Sequence, residues 1–525
     1  MQQGHFQLRS EGERRPFWEH PVMLAFLVVA SAVPLFWPDI APLVDLPGHI
    51  GRYRVQLDLE TSDALQRFYD FEWRPIGNLG VDLLVQLLAP VLGLEPAVKL
   101  IVLLIPPLTA AGLIWVAFEV HGRIPPTTLF ALPFAYNFPF FFGFVNFALA
   151  MALALNAFAL WLRLARLDRP RLRAAVFLPI SVLLFFAHAF AWGTLGVLCF
   201  SAELVRQYDS GRNFAVSGVR AALHCLALAP PVAAMLAWRS ESAGRTGDWF
   251  NVEAKIEWVV QALRDRWEIF DLVSLGLVGA IIFAAMVTPR ITFSRNLAAS
   301  ALFASVVFIC LPRIVFGSAY ADMRLAPYLF AIALIAIRFP VGVNRRFAAT
   351  IGMMGMAFFL VRTGATTLSL YLYDQRFDRE LAALDHVPRG AAVVSFAGRP
   401  CTEPWAMSRL LHLSAMGIAR REAFSNDQWI LAGAQLLTVH YAPGYPFLRD
   451  ASQVVSRVRC RGEHWRTIDR ALATFPRDGF DYVWLIDPPP HDPELLKGLQ
   501  PIWRSGTSVL YRVVDRTPIP EQTQP

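Results

Sequence analysis

The chain has 525 residues, 55% of them apolar and only 17% charged, with a mean hydropathy of +0.42. That balance excludes an ordinary soluble domain or a disordered chain and indicates a polytopic membrane protein. A net charge of +7 does not point to nucleic acid either, because 45 of the 48 basic residues are arginines, many in short loops between apolar runs, as the positive-inside rule requires.

Arg9, Arg14 and Arg15 precede an apolar run over 21–36 that lacks a small-residue cleavage site. The pattern predicts a cytoplasmic segment over 1–20 and a retained signal anchor. The chain then leaves the membrane through Trp37, Pro38 and Asp39 into Asp45-Leu46-Pro47-Gly48-His49-Ile50-Gly51-Arg52-Tyr53. Two carboxylates, a histidine and an arginine close to a membrane exit form a candidate site, since ionisable groups at a bilayer are costly. A polar loop that merely caps its neighbouring helices is the competing reading. Ile50, Tyr53, Leu57, Ala64 and Phe68 recur near helical spacing and predict a helix lying along the outer interface.

Apolar segments follow near 80–94, 97–118, 125–143 and 144–162, ahead of a loop holding Arg163, Arg166, Arg169, Arg171 and Arg173. A return to the cytoplasm needs an odd number of crossings. Either 80–94 is interfacial, or 125–146, interrupted by Pro133, Asn137 and Pro139, forms two half-spans. Runs at 174–189, 190–205, 221–238, 269–288, 296–316, 325–338 and 348–370 complete about 11 to 13 transmembrane helices and leave the C-terminus outside. Within the loop 239–268, the second half is amphipathic and is expected at the interface.

Residues 371–516 are richer in charge and contain no span-length apolar run. Short β-rich runs at 391–396, 482–486 and 508–514 alternate with helical patterns near 403–418 and 464–474, which predicts an extracytoplasmic α/β domain. The tail 517–525 reads as disordered. The expected division is therefore a cytoplasmic 1–20, a multispan 21–370 with the first external loop 38–79 as its catalytic part, and the domain 371–516. Cys199, Cys225 and Cys310 fall in apolar runs and are expected in the core. Cys401 and Cys460 fall in the polar C-terminal part, where an oxidising compartment would allow one disulfide.

By this topology two further polar features reach the outer face. His188 lies about 22 Å up its helix from Arg173, at ~1.5 Å per residue, and is either functional or satisfied by backbone. Asp322 and Arg324 stand at the outer start of a span. Arginine is disfavoured there, so Arg324 calls for an anion such as a lipid phosphate, or for an acid such as Asp322.

An N-terminal span, an aspartate in the first external loop followed by interfacial helices, a multispan body and a C-terminal external α/β domain resemble the C-type glycosyltransferase superfamily. Those enzymes commonly carry an acidic pair followed by Tyr or His; here Asp45 and His49 match, while Leu46 replaces the second acid. The resemblance implies transfer of a sugar from a polyprenyl-phosphate donor to a glycan, lipid or protein acceptor at the outer face of the cell (inner) membrane. Asp45 would be the general base, with Asp39 as runner-up. Arg324 and Arg52 would hold the donor phosphate, and His49 and His188 would contact phosphate or orient the acceptor. No metal or cofactor is implied, and no nucleotide-binding or HExxH motif is present in the sequence. Two other readings share the pattern: a flippase or transporter, and a polysaccharide ligase or polymerase that would use Arg239, Arg245, Arg264 and Arg266. Trp405, Trp429 and Trp465 are either sugar-stacking surfaces or core residues.

Overall fold

The computed structural model describes residues 15–241, 245–340, 343–430, 435–448 and 451–518, without the side chains of 237–241. Arg9 and Arg14, the Arg239 side chain and residues 519–525 of the expected tail lie outside the described residues. Two compact units are present. One holds the residues up to Trp37, Pro75–Leu83 and Leu100–Ser369; the other holds Pro38–Arg74, Leu84–Lys99 and the residues from Leu370 onward.

Among the described residues, six helices are long and apolar enough to cross a membrane: Leu94–His121, Val145–Arg166, Pro170–Ala187, Ala189–Asp209, Glu268–Val287 and the helical stretch Arg345–His386. Together with a C-terminal sheet domain they are those of a membrane-embedded protein. Their outward faces support this, because Ile269, Val273, Phe283, Met286 and Val287 on one helix all stand more than half exposed, an apolar area too large for a water-facing surface. Inside the first unit, Phe130, Phe134, Phe147, Trp161, Phe177 and Leu263 belong to one buried apolar cluster.

The stretch 125–143 is not a continuous helix. Helical pieces Thr128–Ala131 and Phe138–Phe142 flank a 3-10 turn, Leu132–Tyr136. Pro133 and Pro139 withhold two backbone donors, and Asn137 repairs the break by accepting from Phe140 N–H at 3.1 Å and donating to the Phe134 carbonyl at 2.8 Å. Gly143, at φ 102°, ends the piece in a left-handed turn. The whole segment Thr128–Phe141 is buried, as irregular backbone at membrane depth must be.

Three other expected spans differ in length or continuity. Pro230 and Pro231 split 221–238 into Phe214–Cys225 and Pro231–Glu241. The 296–316 run supplies a helix only over Arg295–Cys310, and 348–370 is part of the longer helix Arg345–Leu381. Cys199 is buried as expected, but Cys310 lies on an exposed apolar helix face rather than in the core.

The second unit is built on a six-stranded mixed sheet in the order Arg466–Thr467, Val454–Ser456, Val393–Gly398, Tyr482–Ile486, Ser508–Val513, Leu499–Ser505. The first four strands run parallel and the last two form an antiparallel hairpin. Tyr482–Ile486 is buried throughout, as a central strand covered on both faces should be. Cys401 and Cys460 are joined by a disulfide.

The first loop contributes to this same sheet unit. Tyr69–Phe71 pairs antiparallel with Leu437–Val439, and Val55, Leu65, Phe68 and Tyr69 enter the apolar cluster of Val394, Phe396 and Leu485. The helix expected along the interface starts earlier, at Leu46, and runs to Asp58 with nine of its thirteen residues buried. It is thus a core helix. The pattern at 403–418 yields helix only at its end, in Leu413–Ala415 and Met416–Arg421.

Candidate active site

The helix Leu46–Asp58 opens with Pro47, a residue suited to the first turn because its missing N–H would have no helical partner. Asp45 occupies the N-cap position, yet its side chain makes no capping hydrogen bond. The capping reading therefore does not account for this carboxylate. It is 8% exposed and its Oδ1 lies 3.9 Å from Nε2 of His412.

Two glycines allow that approach. A Cβ on Gly48 would stand 2.5 Å from the Trp429 ring, and one on Gly51 would stand 2.8 Å from the Ala415 carbonyl oxygen. The helix can press against the 412–429 segment only because both positions lack side chains. Gln428 Nε2 donates to the Gly48 carbonyl at 3.2 Å, and Arg409 Nη1 donates to the Pro42 carbonyl at 2.8 Å while its guanidinium lies 4.0 Å from the Tyr373 ring centre. These bonds fix the loop ahead of Asp45 and the segment carrying His412.

Trp429 packs against both histidines, with ring centres 5.0 Å from His49 and 4.4 Å from His412. His49 also stacks on Tyr53 at 6.2 Å, and Arg52, 2% exposed, lies 4.9 Å from the Tyr53 ring. The His49 Nδ1 is shielded from solvent without a hydrogen-bond partner among the described residues. Burial, followed by the charge of Arg52 and then His412, holds the His49 pKa well below the ordinary histidine value.

Burial also pushes His412 down to about 4, so its imidazole is neutral near pH 7. Its Nδ1 lies 3.2 Å from the Asp427 carbonyl, which accepts its proton, while the Gln453 amide at 3.4 Å is the longer contact. In that tautomer Nε2 turns a lone pair toward Asp45. A carboxylate and an imidazole nitrogen, both acceptors, then face one locus. A hydroxyl brought there can donate to either, which is the geometry of a general-base site.

Beneath it, Asp427 accepts from Ser414 at 2.9 Å and Ser425 at 2.8 Å, and Asn426 binds both backbone sides of Ser395. Burial pushes the Asp427 carboxyl up to about 6. This network is fully buried and supports the segment that carries His412 and Trp429.

The other expected residues fall in different settings. Asp39 is exposed and lies 3.7 Å from Lys99. Asp322 is committed elsewhere: Lys255 Nζ reaches it at 3.2 Å, Trp258 Nε1 at 3.1 Å and the Met323 N–H at 2.9 Å. Its ion-pair partner is Lys255 rather than Arg324. Arg324 lies 4.4 Å from the Phe144 ring centre and donates to Ser318 at 3.4 Å. His188 caps the following helix, its Nδ1 accepting from Phe190 N–H at 3.2 Å, and its ring packs edge-on to Phe147. Arg264 bonds Gln261 and lies 5.1 Å from the Phe138 ring, so it does not project into an open loop.

Of the expected site residues, Asp45, His49, Arg52 and one of the tryptophans, Trp429, share a cluster. His412 was absent from the sequence reading. Among the described residues, no group of three His, Cys, Asp or Glu side chains could hold a metal ion. No protein-family model matches the chain, and no curated protein matches it.

Proposed function

We propose that the protein is an integral-membrane glycosyltransferase that moves a sugar from a polyprenyl-phosphate donor to an acceptor hydroxyl. The observation that carries this reading is the Asp45 and His412 pair at 3.9 Å, backed by the aromatic wall of Trp429. Asp45 takes the acceptor proton as the hydroxyl oxygen bonds to the anomeric carbon. The bond from that carbon to the phosphate oxygen breaks, the phosphate leaves with the electron pair, and the configuration inverts. Arg52, close to His49 and Tyr53, supplies positive charge for the departing phosphate. Trp429 offers a ring face of the kind that stacks on sugars. The other candidate for holding the donor phosphate is Arg324, in the membrane unit.

The proposed topology has 11 to 13 crossings of the cell inner membrane, with the sheet unit on the outer side. The six shorter apolar helices among the described residues are candidates for the additional crossings, an odd total being needed to leave the C-terminal residues outside, and a Cys401–Cys460 disulfide is at home in an oxidising compartment. The resemblance to C-type glycosyltransferases supports the same assignment.

The test is reconstitution of the purified chain with a radiolabelled polyprenyl-phosphate sugar and candidate acceptors. Labelled product together with free polyprenyl phosphate supports the transferase. Movement of the intact lipid-linked sugar across the bilayer, without cleavage, makes it a flippase.

A further inference from the structure

At the end of the membrane unit that bears the arginine-rich loop, a cavity of about 320 Å³ opens between helix Pro170–Ala187, helix Phe214–Cys225 and the turn Leu226–Leu228. Leu178, Leu223, Leu226 and Ala227 form its apolar wall, and Arg173 and His224 are its charged or titratable lining groups. The leucines are 45%, 60% and 59% exposed. Leu172, Phe214 and Val219, on the same two helices, are also exposed, so the cavity opens onto a surface suited to acyl chains.

The charges around it do not balance. Arg173 is 1% exposed, bonds Glu203 through Nη1 at 3.0 Å and lies 4.2 Å from the Trp161 ring. Its Nη2 has no hydrogen-bond partner among the described residues, although buried guanidinium nitrogens are seldom left unbonded. Glu203 is shared: Arg206 stands 3.7 Å from it, His224 Nε2 3.6 Å, and Gln207 donates to it at 2.6 Å. Arg206 otherwise reaches Asp168, whose side chain is 86% exposed. Arg220, one turn before His224, is exposed and has no ion-pair partner among the described residues. Two guanidinium groups, Arg173 and Arg206, thus share one buried carboxylate, and the charge of Arg220 acts on His224 beside it.

We infer that this cavity holds one anionic phospholipid. The phosphate of the headgroup takes hydrogen bonds from Arg173 and Arg220, and an acyl chain lies along Leu178, Leu223 and Leu226. Guanidinium groups match phosphate oxygens in geometry and charge, and basic pockets between membrane helices recognise acidic headgroups. The volume sits at the small end of ligand sites, about 300–1,000 Å³, so the headgroup enters while the chains stay in the bilayer. This assignment is independent of the transferase reading.

The experiment is native mass spectrometry of the full chain equilibrated with equal amounts of phosphatidylglycerol and phosphatidylcholine. The wild type is expected to retain one phosphatidylglycerol in preference. Arg173→Gln combined with Glu203→Gln removes both buried charges together and should cut that preference about fivefold, the effect of roughly one basic group at a membrane surface. Arg220→Gln, at an exposed position, gives the same readout if the double variant does not fold. Leu223→Trp should reduce retention by narrowing the apolar wall. Equal retention of both lipids by the wild type, or an unchanged preference in these variants, overturns the proposal. So does inorganic phosphate that raises the thermal midpoint as much as phosphatidylglycerol does, since the ligand would then be a soluble phosphate.

Discussion

The Asp45 carboxylate and the His412 imidazole, drawn from opposite ends of the chain, stand 3.9 Å apart in the unit built on the C-terminal sheet. The contact depends on how closely the helix Leu46–Asp58 approaches the 412–429 segment, and two glycines set that approach.

Alanine in place of glycine normally favours a helix by up to about 1 kcal/mol. At Gly48 the sign should reverse, because the new Cβ meets the Trp429 ring at 2.5 Å; at Gly51 it meets a backbone oxygen at 2.8 Å, which yields less easily than a side chain. Overpacking of this kind costs about 1–3 kcal/mol. Thermal unfolding of Gly48→Ala and Gly51→Ala should show both destabilised, Gly51→Ala more so. A stabilised Gly51→Ala would mean that the helix does not pack this closely.

The pH dependence of stability has two opposed parts. Burial lowers His412 to about 4, so only the unfolded chain takes up its proton between pH 6.5 and 4, and stability falls with pH through that window. Burial raises Asp427 to about 6, so its contribution is complete below the unfolded carboxyl value near 3.8 and is lost as pH rises through 6. Each is on the order of 3 kcal/mol, and His49 adds to the histidine side. Between pH 7 and 4, Asp427→Asn should lose thermal stability more steeply than the wild type and His412→Gln less steeply. The reverse order would contradict the burial of these groups.

Asp322 and Arg324, two positions apart, should behave differently. Asp322→Ala strands the Lys255 ammonium among the backbone carbonyls of Phe308 and Leu311, a loss of about 3–5 kcal/mol for a broken buried pair, visible as a lowered thermal midpoint. Arg324→Gln should fold normally and raise the half-saturating donor concentration about tenfold or more, the scale of one charge-assisted hydrogen bond. If Arg324→Gln instead unfolds the protein while Asp322→Ala does not, these roles are exchanged.

Much of this was legible in the sequence because it depends on local pattern. Strands at 393–398, 482–486 and 508–513 announced themselves by β-rich runs, and Asp45, His49 and Arg52 stood out as ionisable groups next to a membrane exit. The helix Leu46–Asp58 was expected along the interface because its polar residues suggested a solvent-facing side, but His49 packs against Trp429 and Arg54 bonds the Ala419 carbonyl, contacts no local period reveals. His412 was missed for the same reason. Its run from Met407 to Ala419 resembles a helix in composition, yet the backbone is irregular through Leu411, where the Arg409 guanidinium bonds the Pro42 carbonyl. A lone histidine in an apolar run beside an arginine was the available signal. The proline breaks at 133 and 139 were visible, but their consequence for the spans depended on Asn137 and on burial, and the break at Pro230 and Pro231 lay inside a run read as one span.

The central claim is that Asp45 accepts a proton in a sugar transfer, and its most direct test is the turnover of Asp45→Asn in purified protein supplied with a radiolabelled polyprenyl-phosphate sugar, with donor binding and thermal unfolding measured in parallel. The account predicts a loss of about a hundredfold or more while binding and folding are retained, and a smaller loss in His412→Gln. Turnover of Asp45→Asn equal to that of the wild type would contradict it.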